Sequence, residues 1–166
     1  MTALSVLAEA RWPETLDDVT APSLPGFVVS SFSALAAEVA RRCLSQRDLT
    51  AADRPVTAVV MVSALGDIAS AVHVADAVDS GGRVGPLLFF QSVPNSVAGH
   101  VAARWQLTGP VVSVGALEAG LDIAALLIED ADADEALVIR VEQGCGDGAD
   151  SFDGAEAVLL AAEEDR

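Results

Sequence analysis

From Ser33 onward the apolar positions Leu35, Ala36, Val39, Ala40, Cys43 and Leu44 recur at three- and four-residue spacing. This is the period of an amphipathic helix, capped by Ser33 and ending near Gln46, with Arg41 and Arg42 in the last turn where cations suit the dipole. The pattern then changes to a nearly continuous β-branched run, Val56 to Val62, of the kind buried on both faces of a parallel sheet. Gly66-Asp67 opens a second helical tract through Ala77, closed by Ser80-Gly81-Gly82. An apolar segment, Leu87 to Phe90, precedes Pro94, which suits the first turn of a third helix reaching Trp105. Val111 to Val114 reads as a short strand, Glu118 to Ile128 as a buried helix, and Ala136 to Val141 and Ala157 to Ala161 as strands. Gly144 to Gly148 is a turn-rich loop. Ahead of Ser33 lies a short strand at Ala3 to Ala8, then a loop punctuated by Trp12-Pro13, Pro22 and Pro25-Gly26.

Strands alternating with helices at these lengths specify an α/β fold. Right-handed crossovers and a mostly parallel mixed sheet of about five strands, covered by helices, follow from that order. The chain has 166 residues, enough for one domain with a real core, and residues 1–166 are read as a single unit.

Composition narrows the chemistry. All nine basic residues are arginines, so Schiff-base and lysine general-base chemistry cannot come from this chain. A formal charge of −16 argues against nucleic-acid binding. No apolar run approaches the ~20 residues that span a bilayer, and no basic region followed by a hydrophobic signal core is seen, so the cytoplasm is the expected location. Cys43 and Cys145 belong to no C-x-x-C pattern and read as free thiols. Asp132, Asp134 and Glu135 fall short of a cation-binding loop and read as a solvated turn. No metal or cofactor is implied.

One passage carries a more specific signal. Phe89-Phe90-Gln91-Ser92-Val93-Pro94-Asn95-Ser96-Val97-Ala98-Gly99-His100, followed by Leu107-Thr108-Gly109-Pro110, resembles the β-ketoacyl synthases, thiolase-fold enzymes that elongate acyl chains in fatty-acid and polyketide synthesis. Asp132-Ala133-Asp134, the strand ending at Val141-Glu142, and Ser151 to Leu160 follow the same family order, so the resemblance runs from about residue 56 to 161. Residues 1–30 are a divergent, proline-punctuated segment, and the first fifty residues match poorly. Ketosynthases are pseudo-duplicated, with two α/β halves packed in five layers, and this chain corresponds to the N-terminal half. The resemblance implies that the other half would supply two catalytic histidines and a lysine; His73 and His100 do not stand in for them.

In that family the strand after Gly-Pro leads into a turn reading roughly Thr-Ala-Cys-x-x-Gly, whose cysteine carries the acyl chain. Here the turn is Gly115-Ala116-Leu117-Glu118-Ala119-Gly120, and Leu117 holds the nucleophile position. A hydrocarbon side chain cannot attack a thioester. Glu118 is the only ionisable group nearby, either a helix-start residue favoured by the dipole or a general base. Phe90, Ser92, Asn95 and His100 fall where the family has its acyl pocket and dimer interface, which implies a substrate or interface role. Alternatively, Ser92 and Asn95 satisfy turn backbone groups and His100 is a hydrogen-bonded helix residue. Cys145, in an acidic loop, is a poor displaced nucleophile.

The resemblance therefore implies a non-catalytic subunit comparable to chain-length factors, ketosynthase homologues that lack the cysteine and pair with an active ketosynthase. A homodimer or a heteromer with a ketosynthase is expected, because an isolated half would leave an apolar face open. Contact with an acyl carrier protein would be indirect, since carboxylates crowd the chain after residue 128 and carrier proteins are themselves acidic. Two other classes stay open: a small repurposed enzyme using Glu118, His100 or Ser92 as acid or base, and a non-enzymatic acyl-binding or scaffold module.

Overall fold

The computed structural model describes residues 3–48, 50, 54–144 and 153–163. Asp53, the turn from Cys145 to Gly148, and Ser151-Phe152 lie outside the described residues. The chain builds on one strand, β2 (Thr57–Val62), whose six residues are all buried, after β1 (Leu4–Trp12) and α1 (Phe32–Leu44). β2 is followed by α2 (Ile68–Asp79), α3 (Pro86–Gln91), α4 (Pro94–Trp105), β3 (Val111–Val114), α5 (Leu117–Glu129), β4 (Glu135–Glu142) and β5 (Gly154–Ala162). The five strands form one sheet in the order β1-β5-β4-β2-β3. β2 pairs in parallel with both β3 and β4, whereas β5 is antiparallel to β4 and to β1. β5 alone runs against the other four, so the sheet is mixed and mostly parallel, as the strand and helix order implied.

Burial explains why β2 reads as an unbroken apolar run. Val59 and Met61 face a core built with α1 and α4, in which Phe32, Leu35 and Val39 sit beside Leu137, Ile139 and Leu159. Val60 and Val62 face a smaller core with Ala124 of α5, Ala136, Val138 and Leu160. A strand covered on both faces has no polar side to alternate with.

Several local expectations shift. The helix cap is Ser31, not Ser33, which is buried within the first turn of α1. Starting at Phe32 brings that ring, only 1% exposed, into the core. The Ser31 hydroxyl donates to Asp153 instead of capping, and Ser30 Oγ accepts the Phe32 N–H at 3.1 Å. Leu87 to Phe90 lies in a short helix, with Pro86 in its first turn and buried Gln91 accepting the Val28 N–H at 2.9 Å. β1 and β5 run longer than their sequence patterns, because they pair with each other from Leu4↔Ala162 to Trp12↔Ala155, and local periodicity carries no trace of a partner at the other end of the chain. Glu135 is not in a solvated turn: it is 2% exposed, accepts from Thr57 Oγ1 at 2.7 Å and lies 3.6 Å from Arg47. Asp134 accepts the Val56 N–H at 2.7 Å and so fixes the start of β2 against β4.

The loop between β1 and α1 is held by Arg42. Its guanidinium bonds Asp18 at 2.7 Å and Glu38 at 2.8 Å and sits 4.8 Å from the Trp12 ring centroid. That hydrogen bond to Arg42 is the main reason the Asp18 carboxyl is held well below the usual carboxylate range.

The tightest joint is at Gly109. A Cβ there would lie 2.6 Å from the backbone of Thr57 and Ala58, and the Gly109 N–H donates to Thr57 O at 3.0 Å. Backbone cannot yield as a side-chain tip can. Gly109→Ala is expected to cost about 3 kcal/mol or more, since overpacking a rigid site exceeds ordinary core repacking. Gly99, within α4, has nothing within 4 Å of the corresponding position. Gly99→Ala is expected to stabilise by about 0.5–1 kcal/mol through helix propensity. Denaturant midpoints of the two variants check the contrast, and equal shifts would contradict it.

Candidate functional site

β3 ends at Val114, Gly115 follows, and Ala116 sits in extended geometry at the N-cap before α5 begins at Leu117. Gly120 sets how closely this helix lies on the sheet. A Cβ at that position would be 2.6 Å from Val62 Cγ2. Val62 is a buried β-branched side chain with little rotamer freedom, so the approach of α5 to β2 depends on that missing methylene.

Leu117 occupies the first helical position, half-buried against the α5-side core. No side chain caps the helix, and its free N–H groups and dipole create a place where an anion would be stabilised. The residue placed there is a hydrocarbon. Glu118 is exposed in the first turn, where the dipole favours it. Its neighbours Gly115, Ala116 and Ala119 offer no nucleophile.

The other sequence-marked residues do not converge on this turn. Ser92 follows α3 and donates to Phe89 O at 3.1 Å. Asn95, in the first turn of α4, accepts from the Ser113 hydroxyl and so ties α4 to β3. Phe90 is 78% exposed, its carbonyl held by the Ser96 hydroxyl. Thus Phe90, Ser92 and Asn95 lie at the α3–α4 corner beside β3. His100 is half-buried with its ring edge-on to Phe27, centroids 5.5 Å apart. Because α4 and α5 pack on opposite faces of the sheet, His100 and Glu118 do not form an acid–base pair.

A polar network went unnoticed in the sequence. Asp67 caps α2 by accepting from Ser70 N at 3.0 Å and Ser70 Oγ at 2.7 Å, and it also accepts from the Ser30 hydroxyl. Gln143 donates to Ser30 Oγ at 3.0 Å and Ser31 Oγ at 3.1 Å, and Ser31 donates to Asp153. These residues lock together the starts of α1 and α2 and the exit of β4. Only Asp67, as a helix-opening residue, had a local signal.

The sheet face left open beside α5 holds a groove of about 580 Å³. Leu117, Leu121 and Val158 line part of it, but so do Glu9, Arg11 and an Arg140–Glu156 ion pair at 3.2 Å. The open face is therefore mixed, apolar along α5 and charged where β1 and the Arg140–Glu156 pair line it. Cys43 is buried in α1, and burial pushes its thiol up to about 11.

The sequence profile described as the β-ketoacyl synthase N-terminal domain matches residues 6–159. The chain belongs to this family. The match takes in β1 and the loop after it, which the sequence motifs had left outside. No curated protein matches the chain in sequence. Among solved structures, the ketosynthase N-terminal fold recurs in a ketosynthase in complex with its chain length factor from Xenorhabdus doucetiae, at 19% identity and a TM-score of 0.74, covering 98% of this chain and 80% of that one. It recurs in the ishigamide ketosynthase/chain length factor, at 19% identity and a TM-score of 0.66, covering 83% of this chain and 48% of that one. A β-ketoacyl synthase from Burkholderia phymatum matches at 14% identity and a TM-score of 0.71, covering 98% of this chain and 60% of that one. At these identities the likeness is one of fold, and the chain spans about half of the ishigamide ketosynthase/chain length factor chain.

Leu117 heads α5 at a turn whose side chains offer no nucleophile. In a Cys145→Ser background, the Leu117→Cys thiol is expected to alkylate with iodoacetamide at pH 7 at least ~10-fold faster than Cys43, because a helix N-terminus lowers a thiol pKa and burial raises it. Intact-mass kinetics read this directly, and a rate no faster than that of Cys43 would show that the turn is not an activating position.

Proposed function

We propose that this ketosynthase N-terminal domain is a non-catalytic subunit that pairs with an active ketosynthase in polyketide or fatty-acid synthesis. The observation that carries this reading is Leu117 at the first position of α5, in a turn without a nucleophile. Covalent acyl transfer then falls to another chain.

Pairing is supported by the difference between the two sheet edges. β1 is guarded in the way natural edges are, with a bulge between Val6 and Ala8 and the charges of Glu9 and Arg11 along it. β3 has four residues, Val-Val-Ser-Val, with neither charge nor bulge. Pro110 O and Val114 O point inward to accept from the Val59 N–H of β2 and the Ser63 N–H just after it, at 2.8 and 3.1 Å. By the two-residue period of a strand, the backbone groups of Val111 and Ser113 point outward, where a second sheet could take them. Phe90 stands exposed at the adjoining α3–α4 corner, and we assign it to the same contact, reaching toward the partner's acyl pocket. The fold's recurrence in a chain of the Xenorhabdus doucetiae ketosynthase–chain length factor complex supports this reading.

Ser113→Pro tests the edge. Proline is tolerated on an edge strand where its missing N–H faces out, so the variant is expected to fold with a native circular dichroism spectrum. Co-expressed with the active ketosynthases of its source organism, the wild-type chain is expected to co-purify with one of them, and Ser113→Pro to lose at least ~10-fold in recovered complex, the loss of about 1.4 kcal/mol. Undiminished recovery of the folded variant would rule out the β3 edge, and failure of the wild type to co-purify would rule out the subunit role.

A further inference from the structure

The two faces of the sheet are covered unequally. Helices α1 and α4 close one face, whereas on the other α5 lies over β4, β2 and β3. Beside α5 the groove of about 580 Å³ runs along β5 and β1. Two strands at about 4.8 Å spacing make a slot roughly 10 Å wide, the width of one helix. The nine residues of β1, at about 3.3 Å each, make it roughly 30 Å long. A slot of that shape suits a helix, not a compact ligand.

Its side chains are ordered from one end to the other. At the end where β4 finishes, Arg11, Glu156 and Arg140 lie in register across β1, β5 and β4. Glu156 is taken by Arg140 at 3.2 Å, and Glu14, which also lines the groove, lies 3.5 Å from Arg42. Arg11 is exposed and has no carboxylate partner among the described residues. Glu9 stands opposite Val158 in the next pair on this face, and Val6, 59% exposed, stands opposite Leu160 beyond it. The slot therefore begins with a free arginine and ends in apolar side chains.

The outer row of α5 has the matching order. Glu118, Asp122 and Leu126 follow at four-residue spacing and so share one helix face. All three are exposed, Leu126 by 54%. From Glu118 to Leu126 the helix rises about 12 Å, and from the Arg11–Glu156 pair to the Val6–Leu160 pair the sheet advances about 13 Å. A two-fold axis running along the strands lays α5 of each copy in the slot of the other with like ends together. Glu118 then faces Arg11, and Leu126 faces Val6, once from each copy.

We propose that a second copy of this chain covers this face, with α5 of each copy seated in the slot beside α5 of the other. Helix and slot together measure roughly 20 Å by 30 Å, a flat footprint on the order of 600 Å², close to the about 800 Å² of accessible area that each partner gives to a specific interface. Physiological salt screens charges beyond about 8 Å, so most repulsion between two chains of charge −16 is damped while the pairs in contact are kept. The slot lies at the opposite end of the strand order from β3. Each copy keeps its β3 edge, and the self-association stands independently of the pairing proposed above.

Sedimentation equilibrium of the full chain, from about 1 to about 100 µM in about 0.15 M salt, is expected to resolve a monomer and a dimer. Leu126→Glu is expected to keep a native circular dichroism spectrum and to weaken the dimer ~10-fold or more, and Arg11→Glu to weaken it by a similar factor. Arg11→Glu combined with Glu118→Arg is expected to return to within about threefold of the wild type, which only a contact between those two positions achieves. Glu9→Gln is expected to tighten the dimer, because Glu9 falls opposite Asp122 midway along the slot. A monomer throughout, undiminished association of Leu126→Glu or Arg11→Glu, no recovery in the double variant, or weaker association of Glu9→Gln would each overturn the proposal. Loss of the dimer in Ser113→Pro would place the contact at the β3 edge and overturn it equally.

Discussion

Everything in this domain is measured from the backbone of β2. Gly109 presses the chain entering β3 against Thr57 and Ala58, and Gly120 lets α5 settle onto Val62, so two missing side chains fix the edge strand and the turn before α5 relative to one buried strand. Neither position can accept a methyl group without displacing buried atoms. Those two contacts set the geometry of the edge strand and of the turn, where Leu117 has no reactive group to offer.

This separates the scaffold from the reaction it serves in relatives. A helix N-terminus aimed at the end of a parallel strand stabilises negative charge whatever residue stands there. With Leu117 in that place, the field has no thiolate to act on. The same turn follows β3, whose Ser113–Asn95 bond to α4 joins the bare edge to the exposed Phe90 corner. Residues 80–117, which run through α3, α4 and β3 and hold no carboxylate, lie on the same side. That surface, uncharged at its edge and spared the acidity of the rest of the chain, is the one on which the proposed pairing rests.

How far the sequence revealed this depended on the distance over which each feature is encoded. β2, α4 and α5 were legible because their periodicity is local. The lengths of β1 and β5 were not, since each is defined by the other across the chain. The helical state of Leu87 to Phe90 was obscured by its brevity: six residues give no period to read. The buried pairing of Glu135 with Thr57 and Arg47 hid behind a run of acidic neighbours that do face water. The network of Ser30, Ser31, Asp67, Gln143 and Asp153 joins four separate segments, and only Asp67 left a local mark.

The central claim is that this ketosynthase-family chain supplies shape and contact, with the acyl chemistry held by its partner. Intact-mass spectrometry after incubation of the chain, alone and with its ketosynthase, with an acyl thioester tests it most directly. The account expects the acyl mass on the ketosynthase and none on this chain. Stoichiometric acylation of this chain, lost on reduction of the protein's nucleophiles by substitution, would contradict it.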